Sequence, residues 1–121
     1  MRILALDIGA RRTGIAFVDT ENGIPLPLDT IDVEFEEEMI EYVKKILIDR
    51  AVDEIVIGLP LLPSGVEGEQ VEFVRRCGED LKSANIPIVF LDERYTTSSS
   101  SESDGDARAA CELLRMRLQR L

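Results

Sequence analysis

Apolar residues follow two rhythms along this chain, and the two rhythms predict its elements. Short, mainly apolar runs read as strands at residues 2–8, 14–18, 54–59 (buried-looking and ended by Pro60) and 87–91. The link from Gly9 to Thr13 is short, so the first two runs form an antiparallel hairpin. Asp19-Thr20-Glu21-Asn22-Gly23 is a turn cluster, and a third strand is expected within 28–33. The rhythm then changes. Met39, Ile40, Val43, Ile46 and Leu47 stand at offsets 0, 1, 4, 7 and 8, one face of a helix over about 36–50. Glu36, Glu37 and Glu38 suit the positive end of that helix. A second helix is expected over about 69–84, with Val71, Val74, Leu81 and Ala84 inward. Ala107, Ala110, Leu114, Leu118 and Leu121 mark a third. Residues 60–68 read as a Pro- and Gly-containing loop and 96–105 as a polar, mobile one.

This order, a hairpin-linked trio of strands and then helices alternating with strands, predicts an α/β fold. The sheet should be mixed and five-stranded, its three antiparallel strands first, with helices on its faces. A length of 121 residues suits one domain over 1–121. No apolar run approaches the roughly 20 residues of a membrane helix. The chain starts directly on a strand-like segment, so no membrane partner and a cytoplasmic location are expected. Cys77 and Cys111 fit no metal-binding spacing and read as small hydrophobes on helix faces.

A formal charge of −10 argues at first against a polyanionic partner. Its distribution reverses that. Between Thr13 and Val43 there are nine acids and no Lys or Arg, and outside this stretch 15 acids face 14 bases. The acidity is regional, which leaves another side open to nucleic acid. Eleven of the 14 bases are Arg, the type suited to bidentate phosphate contacts.

The candidate chemistry is carboxylate chemistry, in a chain with no histidine. Asp7 closes the first apolar run and opens DIGARRTG (7–14), in which Gly9 lets the backbone approach a ligand closely and Gly14 returns the chain into the next strand. Related loops cradle phosphates in actin-like ATPases and sugar kinases, but those need two such domains, more than 121 residues supply. The run ending at Leu91 is followed by Asp92 and Glu93. Strand alternation lets only one of these face a given site. Asp106 begins the last helix, where Ser103-Asp104-Gly105-Asp106 resembles a capping box with Asp in the third helical position, and Asp104 competes with it. Carboxylates at the edge of a core are costly unless paired, hydrogen-bonded or metal-bound.

Four blocks in order, LALDIGARRTGIAF (4–17), IVIGLPLLPSGVEG (55–68), LDERYTT (91–97) and DARAACELL (106–114), resemble the YqgF/RuvX family. This is a family of Holliday junction resolvase-like nucleases with a ribonuclease H-like fold, implicated in maturing precursor small-subunit ribosomal RNA. The resemblance selects Asp7, Glu93 and Asp106 as the acids, the last because the DxxAA pattern falls on Asp106, Ala109 and Ala110. It implies that these three hold Mg²⁺ or Mn²⁺, hard cations that prefer oxygen ligands. It also implies phosphodiester hydrolysis on structured nucleic acid, either precursor 16S ribosomal RNA or branched DNA. Arg11, Arg12 and Arg94 are candidates to steady a phosphate. Thr96 and Thr97, with Gly58, Pro60 and Gly65, would shape the mouth of the site. A homodimer suits junction cutting, although nothing in the sequence requires one. One departure stands out: relatives usually carry a longer, base-rich segment before the last helix, whereas 98–105 is serine-rich with two acids and no base. That departure motivates the alternative of a catalytically weak or inactive RNA-binding factor in ribosome maturation.

Overall fold

The computed structural model describes residues 1–60, 68–92 and 105–121. Its strands are β1 (Arg2–Ile8), β2 (Arg12–Asp19), β3 (Leu26–Pro27), β4 (Ile31–Asp32), β5 (Glu54–Leu59) and β6 (Ile88–Asp92). Its helices are α1 (Glu36–Asp49), α2 (Glu69–Leu81) and α3 (Ala107–Leu118). One mixed sheet runs in the order β3-β2-β1-β5-β6, with β4 also on β2. β1 and β2 are antiparallel, while β1, β5 and β6 are mutually parallel along the sheet. The apolar runs are explained by position. β5 is buried at all six positions and β1 over Ile3 to Leu6, because both are central and helices cover both faces. β6, at the edge, is mostly half-buried.

The expected third strand is two short ones. Leu26 and Pro27 pair with Phe17 and Ala16, and Ile31 and Asp32 pair with Thr13 and Arg12. Pro25 and Pro27 carry no N–H to extend a ladder, and Leu28 instead donates its N–H to the Ile15 carbonyl at 2.8 Å. The second helix stops at Leu81, three residues early, and tightens into a 3-10 turn over Lys82–Ala84 before Asn85 turns left-handed at φ 60°. α1 ends in a Schellman motif. Val52 N–H reaches the Leu47 carbonyl at 3.0 Å and Ala51 N–H the Ile48 carbonyl at 3.2 Å, with Ala51 left-handed at φ 52°.

Two cores result. Leu4, Leu6, Ile8, Ile15, Ile55 and Ile57 pack against α1 and α2. The alternate residues Ile3, Ala5, Ala16, Val18 and Val56 pack with Leu91 against α3, through Ala110, Cys111, Leu113 and Leu114. Both cysteines are buried within these cores, and burial pushes the Cys77 thiol up to about 12. Leu121 is exposed, so the inward face of the last helix ends before it. Among the described residues, no helix is long and apolar enough to cross a membrane.

Candidate active site

Strand alternation decides where Asp7 points. Ile3 and Ala5 belong to the α3 side of the sheet, so Asp7, two residues further along β1, faces α3 as well. There its Oδ2 accepts the backbone N–H of Asp106 at 2.8 Å, joining positions 99 residues apart. Asp106 is the N-cap of α3, with extended backbone at φ −147° and ψ 130°. Its Oδ1 accepts the N–H of Arg108 at 2.7 Å. The sequence reading of Asp106 as the third helical residue of a capping box is therefore corrected. Asp106 caps the helix itself, since its own carboxylate reaches the orphan amide two residues on. Two carboxylates thus meet at the positive end of a helix dipole, a position that favours negative charge.

Two glycines make this approach close enough. The Arg12 carbonyl accepts both Gly9 N–H at 2.9 Å and Gly105 N–H at 2.8 Å, which fastens the entry of α3 to the β1–β2 hairpin. A Cβ on Gly105 would overlap the Asp7 carbonyl oxygen, and one on Gly14 would overlap the Asp106 carbonyl group. Backbone obstacles of this kind cannot swing aside as a side chain can. Gly14 stood in the sequence as the residue that returns the chain into the second strand; its nearness to Asp106 could not be read there. Gly105 was not singled out, although a glycine directly before a capping Asp, where an apolar staple residue is often found, is a usable sign of close backbone packing.

The remaining expected residues divide by location. Arg11 lies at the hairpin turn, exposed, and its Nε donates to Asp32 Oδ1 at 3.0 Å across to β4. Such an exposed pair is worth about 0–1 kcal/mol and is easily exchanged for another anion. Arg12 is exposed at the start of β2, opposite Asp32. Gly58 is buried in β5 opposite Leu91, and Pro60 follows the strand. Asp92 closes β6 opposite Leu59. Glu93, Arg94, Thr96 and Thr97 lie outside the described residues, as do Gly65 and Asp104. Among the described residues no three acid or thiol side chains gather to hold a metal; Asp7 and Asp106 are brought together.

The far end of α3 is held by a contact the sequence reading did not find. Glu54, buried in β5, accepts from Arg117 Nε at 2.7 Å and from Arg117 Nη2 at 2.8 Å. These hydrogen bonds raise the guanidinium above its already high ordinary pKa. Glu54 shares the α3 side of β5 with Val56, so alternation could have flagged an acid pointing into a core. α3 is therefore fixed at both ends against the sheet.

A mixed sheet with β1–β2 antiparallel, parallel β5 and β6, and a last helix that opens on a carboxylate beside the β1 acid defines the ribonuclease H-like class. Two solved structures of RuvC from Thermus thermophilus share this fold. The one in complex with a Holliday junction substrate gives a TM-score of 0.65 at 11% identity, covering 99% of this chain and 94% of that one. The other gives 0.67 at 12% identity, covering 99% and 95%. Within that class, the family model RuvX, described as Holliday junction resolvase, matches residues 1–119, and the chain belongs to this family. A protein of Chloroflexus aurantiacus named "Putative pre-16S rRNA nuclease" is 39% identical over 101 residues, 83% of this chain and 66% of that protein. A Dictyoglomus turgidum protein of the same name is 37% identical over 98 residues, 80% of this chain and 70% of its own length. The match thus spans about two thirds of these relatives.

Proposed function

We propose that residues 1–121 form one metal-dependent phosphodiesterase domain that cuts structured nucleic acid, with precursor 16S ribosomal RNA as its substrate. The observation that carries this reading is the Asp7–Asp106 junction at the N-terminus of α3, in a chain of the RuvX family. The relatives' names supply the ribosomal precursor; branched DNA, the substrate in the RuvC complex, is the second candidate. The donor set fits a hard divalent cation, Mg²⁺ or Mn²⁺. Both ligands are carboxylates, oxygen donors of the kind a hard cation prefers, and the soft alternatives, the two thiols, are buried elsewhere.

Glu93 is proposed as the third ligand. Its support is the alternation of β6, in which Val89 and Leu91 belong to the α3 side, the side of Asp7. The bound cation would neutralise charge at the phosphorus and acidify the attacking water. Asp7 and Asp106 would orient it, held in place by their hydrogen bonds at the capped helix end. Arg11, Arg12 and Arg94, with Thr96 and Thr97, would line the path of the phosphates. Each chain carries its own Asp7 and Asp106, so the reading requires no second copy, and it places the protein in the cytoplasm with its RNA.

The test is cleavage of precursor RNA and of a four-way DNA junction by purified protein with Mn²⁺. Asp7→Asn keeps an oxygen to accept the Asp106 N–H but removes the charge. Losing a ligand should cost more than the roughly 10–100-fold typical of outer-shell partners. Unchanged cutting by Asp7→Asn would sink the assignment. RNA binding without cutting by the wild type would instead favour a non-catalytic maturation factor, the reading motivated by the serine-rich, base-free 98–105 segment.

A further inference from the structure

We infer that the outward stripe of α3, carried by Arg108 and Arg115, is the track along which a strand of the substrate's phosphate backbone approaches Asp7 and Asp106. This rests on the nuclease reading and adds a binding surface to it.

Most of the arginines are already committed within the fold. Arg2 pairs with Asp19 at 3.7 Å, Arg76 with Glu36 at 3.2 Å, and Arg117 is locked bidentately on Glu54. Arg50 and Arg75 lie over the rings of Phe17 and Phe90, 4.9 and 5.6 Å from the centroids. Arg108 is different: it is exposed and makes no ion pair with a described residue. Among the described residues Arg115 pairs only with Glu112, at 2.7 Å on the exposed surface of its own helix, a contact that a phosphate can replace at little cost.

Helix geometry puts these two in one line. Arg108, Glu112, Arg115 and Gln119 are spaced i, i+4, i+7 and i+11, the side of α3 opposite the buried Ala109, Ala110, Leu113 and Leu114. Seven residues at 1.5 Å each separate Arg108 from Arg115 by about 10 Å, roughly three base-pair steps of rise along a duplex axis. The stripe begins beside the carboxylates, because the Arg108 N–H is itself bonded to Asp106. Charge elsewhere supports this side over the other. Glu36, Glu37, Glu38 and Glu41 lie on α1, which covers the opposite face of the sheet and repels a polyanion.

The experiment is anisotropy of a fluorescein-labelled RNA hairpin, without divalent cation, from about 50 to about 200 mM salt. Arg108→Ala and Arg115→Ala should each weaken binding several-fold and lower the salt slope by about one. Arg108→Lys should restore most of that loss. Lys45→Ala removes the same charge from α1 and should bind within twofold of wild type. Wild-type affinity and slope in both α3 variants would overturn the track while leaving the nuclease reading intact. A wild-type protein that does not bind the hairpin even at low salt would overturn both.

Discussion

The two faces of the sheet are lined by alternate residues of the same strands, yet they are built differently. Toward α1 and α2 the strands present Leu4, Leu6, Ile8, Ile15, Ile55 and Ile57, large side chains that keep helix and sheet apart. Toward α3 they present large residues as well, Ile3, Val18 and Val56, but around Asp7 the residues are small: Ala5, Gly14 and Ala16, met by Gly105, Ala110 and Cys111. Small residues let backbones touch, and on that face the chain brings one helix end within hydrogen-bonding distance of a strand carboxylate. Both faces supply burial, worth about 25 cal/mol per Å² of apolar surface, and the α3 face adds placement.

Truncating each face should therefore give different outcomes. Leu6→Ala, on the α1/α2 side, should lower unfolding free energy by about 2–5 kcal/mol in a urea titration. Activity per folded molecule should stay near wild type, because nothing at Asp7 moves. A Leu6→Ala protein that is folded but inactive would break the division between faces.

Gly105→Ala is the reverse experiment. Its methyl group meets backbone on three sides, the Asp7 and Arg12 carbonyl oxygens and the Gly14 nitrogen, so α3 must shift. We expect a loss of about 1–3 kcal/mol, toward the upper end, together with a fall in cleavage well beyond that of Leu6→Ala at matched folded fraction. Gly23→Ala is the control. It sits at φ +68° with nothing within 4 Å of the new atom, so it should cost only about 1 kcal/mol of backbone strain and leave cleavage alone.

The smallest effect belongs to the stabilising face and has the opposite sign. Ala51 occupies the left-handed position of the α1 Schellman motif, where glycine is favoured. Ala51→Gly should raise stability by up to about 1 kcal/mol, visible as a higher urea midpoint, with no change in catalysis.

The same contrast explains what could be read from the chain. Large apolar residues announce themselves by period, so the strands, the three helices and their α1/α2-facing side chains were legible in the sequence. The split of the third strand was less so, because it depends on which N–H groups Pro25 and Pro27 withhold and on where Leu28 finds an acceptor. The candidate site was half legible. Asp7 and Asp106 followed from position and from the family's blocks, but their junction is made by a backbone amide, which has no letter in the sequence. Gly105 is silent for the same reason: its role is the absence of an atom. Glu54 and Arg117 lie 63 positions apart, and only the packing of α3 across β5 makes them partners.

The proposed function stands or falls on a divalent cation shared by Asp7 and Asp106. Anomalous diffraction from a crystal grown with Mn²⁺ addresses it directly. A manganese peak is expected at roughly 2.0–2.3 Å from a carboxylate oxygen of each, with Glu93 as a further ligand. A peak elsewhere, or none beside these two carboxylates at saturating Mn²⁺, would contradict it.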